Sequence, residues 1–572
     1  MDTARLDADL ATLASRKEEW ARLPIPEKNG LLRAVRDGVA RVADRWVEAA
    51  VRAKGIPAGS PLAGEEWLSG PYSLLFAISA LERTLEHLAR GESPLPSSRA
   101  IRTRADGQVV VDVFPVDAFD RILHSGVTAE VWMEPGITAA GLPRHVAGFY
   151  RQEAPAGKVA LVLAAGNISS IAPLDLLHEL YAEGAVAVMK MNPVNDYLGP
   201  FLEEALAPLG ERGFVRFAYG GPDVGAYLAQ HALVDQIHIT GSERTFDAIR
   251  FGPGPEGARR KARGEPVNRR RITAELGGVG PTIVLPGRWS QADLRFQAEA
   301  VVSQKMHNGG FNCIAAQVLV LPERWPQREE FLSILRETFR SVAPRHAYYP
   351  GAGERQAAAV AAHPSAELLD PPGSTPVPRT FLPGVDPADG NAHAFRQEFF
   401  GGVLAETSLP GDTAADFLAN AVRFANEKLQ GTLGANLVVD PDTEAELGPR
   451  LDAAIAALRY GAITVNTWTG VAYLIPTATW GAFPGHTDED IQSGRGVVHN
   501  ALLIDRPQKS VVRGRFRPFP RAWLSGDFHL GPKPPWFVTH GTGDEVGRRL
   551  TRFARAPSFA ALPGIIAAAL RG

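Results

Sequence analysis

From Lys158 onward, short aliphatic runs alternate with amphipathic stretches, and no other feature of the chain restricts its fold so strongly. Lys158–Ala164 (KVALVLA) reads as a buried strand, Ile171–Ala182 as a helix and Ala185–Met191 as a strand. Helix Tyr197–Leu209, strand Val215–Tyr219, helix Val224–His231 and strand Gln236–Ile239 continue the series. Strands separated by helical crossovers of this length pair in parallel, with right-handed connections. A second series starts at Thr282. It runs through Ile283–Leu285, helix Gln291–Met306, strand Gln317–Leu321 and helix Gln327–Val342 to strands near Gly402–Ala405, Gly434–Val439 and Gly461–Val465. The expected class is α/β.

The ends differ in texture. Arg5–Leu23, Asn29–Gly55 and Tyr72–Gly91 space their apolar residues as amphipathic helices, broken at Pro24, Pro26, Pro57 and Pro61. Gln108–Pro115 is the first strand-like run, and Pro364–Asp389 reads as a loop. Arg250–Arg271 carries eight Lys or Arg against two Glu among Gly and Pro, the texture of a solvated loop. From Arg506 to the end there are twelve basic residues against three acidic ones, with six prolines before Val538. This basic, Pro-rich extension is expected to wrap over a neighbouring subunit or over the acidic remainder of its own chain.

Composition excludes several classes. At roughly 100–200 residues per domain, 572 residues make about two to four domains. A net charge of −3 argues against a nucleic-acid binder. One cysteine excludes an intrachain disulfide and a zinc site built on several thiolates. The N-terminus has no apolar core of the signal-peptide kind, and no stretch approaches the ~20 apolar residues of a membrane span. The expected partners include neither nucleic acid nor membrane, and the expected compartment is the cytoplasm.

Four places carry candidate chemistry. Cys313 lies in HNGGFNCIAAQVLVL, between a helix and a strand. A lone cysteine there is either a small buried hydrophobe or a nucleophile. Asn308, Gly309, Gly310 and Asn312 point to the second, because a tight polar turn exposes a thiol and aims N–H groups at its target. Glu275 in ITAELGGVGP stands at the C-terminal edge of a parallel strand, where open α/β sheets bind ligands. It is a general base if desolvated and a solvated loop residue otherwise. Asn167 in LVLAAGNISS either donates to a developing oxyanion or caps the next helix. Ser242, after Thr240 and Gly241, is an N-cap with or without a phosphate on the first-turn amides. A literal G-x-G-x-x-G at Gly252, Gly254 and Gly257 is rejected as a dinucleotide fingerprint, since it contains Pro253 and Pro255 and follows a helix.

Taken in order, these pieces resemble the aldehyde dehydrogenase superfamily from about Ala154 to Val498. The resemblance implies two Rossmann-like parallel-sheet domains plus a small oligomerisation element. Residues 1–135 would be the helical N-terminal part of the cofactor domain, 136–286 its NAD(P)-binding core and 287–484 the catalytic domain. Residues 485–505 would form the oligomerisation segment and 506–572 the extension. It further implies Cys313 as nucleophile, Glu275 as general base and Asn167 as oxyanion donor. The implied cofactor contacts are Lys190, Gly221, Pro222, Gly225, Gly241, Ser242, Glu398 and Phe400. The implied reaction is NAD- or NADP-dependent oxidation of an aldehyde to a carboxylic acid, in a homodimer or homotetramer. Transfer of the acyl group to CoA, and an inactive nucleotide-binding role, are the alternatives.

The chain departs from the family pattern in places. Phe311 replaces the usual Gln two residues before the nucleophile, and Pro193 stands where an acid often follows the ribose-contacting Lys. Ala165-Gly166 replace an aromatic-proline pair, and the late Pro-Phe-Gly-Gly segment is AFPG at Ala482–Gly485. Phe311, Phe399, Trp468, Tyr473 and Trp480 are candidates to line an apolar entrance, or else plain packing.

Overall fold

The computed structural model describes residues 1–572, the side chain of Ser98 excepted. Two sheets organise it. The first runs in spatial order Gly494–Arg495, Arg271–Glu275, Gln236–Thr240, Lys158–Leu163, Ala185–Lys190 and Val215–Ala218. All but the first of these strands are parallel. Every residue of Gln236–Thr240 and Ala185–Lys190 is buried, as strands covered on both faces must be. Numbered along the chain, the five parallel strands have the order 3-2-1-4-5. Winding reverses between Lys158–Leu163 and Gln236–Thr240, so a crevice opens beyond their carboxyl ends.

The second sheet has eleven strands. Its centre is parallel: Pro507–Arg513, Ala462–Val465, Gly434–Val438, Pro281–Val284, Val318–Pro322, Val403–Leu409 and Thr380–Leu382. Both flanks are antiparallel. Glu367–Leu368 closes one side, and Thr128–Met133, Val109–Phe114 and Ile101–Thr103 close the other. The linker from Glu275 to Pro281 crosses between the sheets. The carboxyl edge of the first sheet therefore faces the loops that precede strands of the second.

The helices Thr3–Arg22, Ile25–Ala53 and Ser73–Ala89 follow the spacing of their apolar residues closely. Other segments depart from the sequence expectations, each for a local reason. Residues 101–133 contribute three strands to the second sheet, and Val109, Val110 and Val111 are fully buried there. The helix expected over Tyr197–Leu209 breaks into short pieces where Pro200 and Pro208 each begin a new one. The basic stretch is not a loop. Helix Gly254–Arg263 begins next to Glu256, ends on Arg260, Lys261 and Arg263, and closes at Gly264. That charge order suits the helix dipole, and Lys261 bridges Glu243 and Asp247.

The extension lies over acidic residues of its own chain, and it begins as a sheet strand. Pro507–Arg513 lies inside the second sheet with Val511 and Val512 fully buried. Beyond it the chain folds back on itself. Arg517 and Arg521 pair with Asp293, and Lys533 pairs with Glu299. Helix Gly543–Arg555 places Val546, Leu550 and Phe553 in the core that covers the first sheet. Three- and four-residue apolar spacing in this last stretch outweighs its basic charge.

Candidate active site

Helix Gln291–Met306 ends in a tight turn, His307–Gly310, in which Asn308, Gly309 and Gly310 all take positive φ. Gly310 is required there, because a Cβ would run into the Gly401 carbonyl. The turn delivers Cys313, half-buried, to the junction between the sheets. Asn167 comes to the same place from the end of strand Lys158–Leu163, and its Nδ2 donates to the Phe311 carbonyl at 2.9 Å. Asn308 Nδ2 lies 3.1 Å from the Asn167 carbonyl and 3.2 Å from that of Phe311. The nucleophile and oxyanion candidates thus share one hydrogen-bonded loop pair.

Glu275 completes the group. It is buried against the Cys313 thiol and the Trp480 indole, yet Glu275 Oε1 and Trp480 Nε1 have no hydrogen-bond partner. Burial pushes the Glu275 carboxyl up to about 7. Burial and the carboxylates of Glu275 and Glu398 push the Cys313 thiol up as well. A thiol with no cation beside it reacts only when a base takes its proton, and Glu275 is the nearest candidate.

Glu398 is a second acid beside the site, half-buried, with its Oε1 inaccessible to solvent. Burial, then Glu275, push it up to about 8, with Lys305 and Arg355 opposing. Its Oε1 also has no partner. A Cβ on Gly277 would stand 2.6 Å from Glu398 Oε2, and Gly277 has φ +69°. The Gly277-Gly278 pair is therefore what lets the crossing linker pass this carboxyl.

A cleft leads to this point. Its outer part, 620 Å³, is walled by Lys190, Asn192, Pro193, Pro222, Gly225, Gly241 and Arg244. Its inner part, 1010 Å³, is walled by Ser242, Arg244, Gly252, Gly277, Gly278, Gln397 and Glu398. Arg244, Ala248 and Pro253 line both. Ser242 caps helix Glu243–Arg250, its Oγ accepting from Thr245 N at 3.3 Å. Gly221 occupies the N-cap of helix Pro222–Gln230 without lining either part. Phe400, at φ +41°, packs on Phe311 and Tyr349 rather than on the cleft. The rejected glycines do line the inner cleft, but Gly252 lies between two helices and Gly254 and Gly257 lie within the second of them.

Beside Cys313 a second, small cavity of 40 Å³ opens on the other side of the thiol. Trp468, Tyr473 and Trp480 line it, whereas Phe311 and Phe399 pack elsewhere.

Sequence reasoning missed a buried brace behind the site. Lys54 Nζ donates to Glu66 Oε1 at 2.8 Å, to the Asn167 carbonyl at 3.0 Å and to Asn308 Oδ1 at 3.0 Å. Tyr348 OH reaches the same carbonyl at 3.1 Å, and Arg345 pairs with Glu65, which accepts from Asn308 N. It missed a second cluster too. Asp175 accepts from Thr240 Oγ1 at 2.7 Å and faces His238 and His499, each at 3.4 Å. No local pattern marks either group, since each assembles from distant segments.

The sequence model of the aldehyde dehydrogenase family matches residues 137–365. Over those residues the chain is similar to that family. The fold likeness reaches further, over about nine-tenths of the chain. An aldehyde dehydrogenase from Pseudomonas syringae, solved as a mutant with NAD+ and octanal, superposes with a TM-score of 0.58 over 90% of each chain at 16% identity. An NADP-dependent glyceraldehyde-3-phosphate dehydrogenase from Bacillus halodurans, solved with NADP, gives 0.59 over 89% of this chain and 91% of its own, at 17% identity. In sequence, a probable coniferyl aldehyde dehydrogenase of Pseudomonas aeruginosa is 25% identical over 42% of this chain and 46% of its own length. A coniferyl aldehyde dehydrogenase of a Pseudomonas species is 28% identical over 38% and 40%. The chain thus spans less than half the length of these two curated relatives. Among the described residues, no helix is long and apolar enough to cross a membrane, and no three His, Cys, Asp or Glu side chains are grouped to hold a metal ion.

Proposed function

We propose that this chain oxidises an aldehyde to a carboxylic acid with NAD or NADP, through a thioester on Cys313. The observation that carries the reading is the meeting of Cys313, Asn167 and buried Glu275 next to Gly277, Gly278 and Glu398, which line the inner part of a dinucleotide-sized cleft. The cleft suits the cofactor. Lys190 and Arg244 offer cations, Ser242 opens a helix whose first amides face an anion, and buried Glu398 Oε1 lacks a donor that a ribose hydroxyl would supply.

Cys313 Sγ attacks the carbonyl carbon while its proton passes to Glu275. A carboxyl near 7 is poised for that at neutral pH. Charge develops on the former carbonyl oxygen, where Asn167 Nδ2 and the Cys313 backbone N–H donate. One Asn167 hydrogen is on Phe311, and the other is free for this purpose. The bound nicotinamide supplies the acceptor for the hydrogen and electron pair of the aldehyde C–H bond. Glu275 releases the thiol's proton to solvent and then takes one from water as the oxygen attacks the thioester. Cys313 leaves as the thiolate and recovers a proton from Glu275 as the acid departs. A donor lost from the oxyanion site typically costs ~10²–10³ in kcat, and a lost general base about 10²–10⁴.

The test is a panel of aldehydes with each cofactor, with and without CoA, reading formation of reduced nicotinamide. Reduction with water as sole acceptor supports the reading. An absolute requirement for CoA replaces it with acyl transfer, and no reduction with any aldehyde refutes it.

A further inference from the structure

One wall of the small cavity beside Cys313 comes from the C-terminal segment. Trp536 lines the cavity, 7% exposed, with its ring centroid 5.3 Å from that of Trp468. The segment is pinned to the helix that leads into the Cys313 turn. Val538 N donates to Ser303 Oγ at 3.1 Å, and Thr539 Oγ1 to Glu299 Oε2 at 2.8 Å. Phe537 stacks on Phe296 of the same helix at 5.2 Å. The wall and the nucleophile therefore share one support, and the wall is fixed rather than draped.

The rest of the lining is as informative. The walls are mostly apolar and aromatic, with Ile168, Ile171, Trp468, Tyr473 and Trp480 prominent. Ser69, His307 and Asn312 are the polar members, and no Asp, Glu, Lys or Arg lines the cavity. An aldehyde bearing a carboxylate or phosphate would bring that charge into a cavity whose one titratable base, His307, is held toward its neutral form by burial, so no cation faces it. The free space is 40 Å³. One water needs about 10–15 Å³ of such space, so the cavity takes a group of about three heavy atoms before an aromatic wall must move.

We propose that Trp536 determines specificity, and that the substrates are short, uncharged, apolar aldehydes whose carbon chain ends against its ring. This rests on the reading of the chain as an aldehyde dehydrogenase. Longer or aromatic aldehydes meet the indole, and removing it enlarges the cavity on that side.

The test has two arms on the full chain. In the first, kcat/KM is measured for propanal, hexanal, benzaldehyde and succinic semialdehyde with unmutated enzyme, W536F and W536A. The unmutated enzyme should favour propanal. The hexanal-to-propanal ratio should rise at least tenfold in W536A, with W536F between. In the second arm Cys313, the sole thiol, is alkylated with iodoacetamide or N-phenylmaleimide and followed by mass. The bulky-to-small rate ratio should rise at least tenfold in W536A. This arm needs no turnover, so it still reports on the wall if no aldehyde is oxidised and the functional reading fails. If W536A does not fold, W536L takes its place in both arms. Ratios within twofold of the unmutated enzyme in both arms, or a preference of that enzyme for succinic semialdehyde, would overturn the proposal.

Discussion

Lys54 Nζ donates to the backbone carbonyl of Asn167 at 3.0 Å, tying the end of the second helix to the segment that presents the oxyanion amide. The same ammonium holds Glu66, fully buried, and Asn308 in the nucleophile's turn. Three loops that must agree on the position of one reacting carbon are thus referred to one cation. Its charge is balanced by Glu66, so the group is complete as an ion pair and still spends two donors on the loops.

Lys54→Met should destabilise the fold by about 3–5 kcal/mol, the usual cost of leaving one member of a buried pair alone. Urea unfolding of K54M, E66Q and the double variant checks it. The double variant should be more stable than K54M, because no unpaired carboxylate remains. Equal stability of K54M and the unmutated chain would show that the brace is incidental.

Cys313→Ala should abolish turnover while cofactor still binds, because a small side chain at a turn changes little packing. The variant's fold is followed by circular dichroism and its cofactor affinity by fluorescence titration. Retained turnover would remove Cys313 from the chemistry, and lost cofactor affinity would show that the thiol supports the cleft.

The outer cleft bears on which cofactor is used. Lys190 and Arg244 line it, and no Asp or Glu does. An acid there would repel a 2′-phosphate. Pro193 stands in the wall instead, so NADP should bind at least as tightly as NAD. Pro193→Glu should shift the affinity ratio at least tenfold toward NAD, about 1.4 kcal/mol. Paired titrations under one ionic strength settle it, and an unmoved ratio would mean that the 2′ position lies elsewhere.

Some of this was legible before any coordinates. Cys313 and Glu275 sit where a strand or helix gives way to glycines, and paired glycines in an α/β chain mark where backbone must pass close to something. The structure supplies that something: Glu398 beside Gly277 and Gly401 beside Gly310. Lys54 could not be read, because it acts on a carbonyl 113 residues away and its own surroundings are those of any helix end. The C-terminal segment was legible in part. Its positive charge points to docking on acidic residues, which Arg517 on Asp293 and Lys533 on Glu299 perform, whereas the place of Pro507–Arg513 inside the second sheet depends on strands far back in the chain.

The last prediction separates hydrolysis from proton removal at Cys313. Glu275 has its carboxyl raised to about 7 by burial, so the carboxylate form rises as pH passes through that value. Steady-state turnover should climb over the same range and level off above it. Stability should move the other way. The unfolded acid titrates near 4.5, so the folded state tolerates the neutral acid and pays for the carboxylate as pH rises from about 4.5 to about 7. Glu275→Gln should flatten that loss, which chemical unfolding at several pH values will show. In the same variant a first-turnover burst of reduced cofactor should persist if Glu275 serves mainly to activate water. Steady-state turnover should then fall by roughly 10²–10⁴. A burst lost along with turnover would mean that removal of the Cys313 proton is the indispensable task. Both outcomes keep Glu275 as the base, and they differ in which step waits for it. Turnover that is unchanged, with no pH step near 7, would remove it from the reaction.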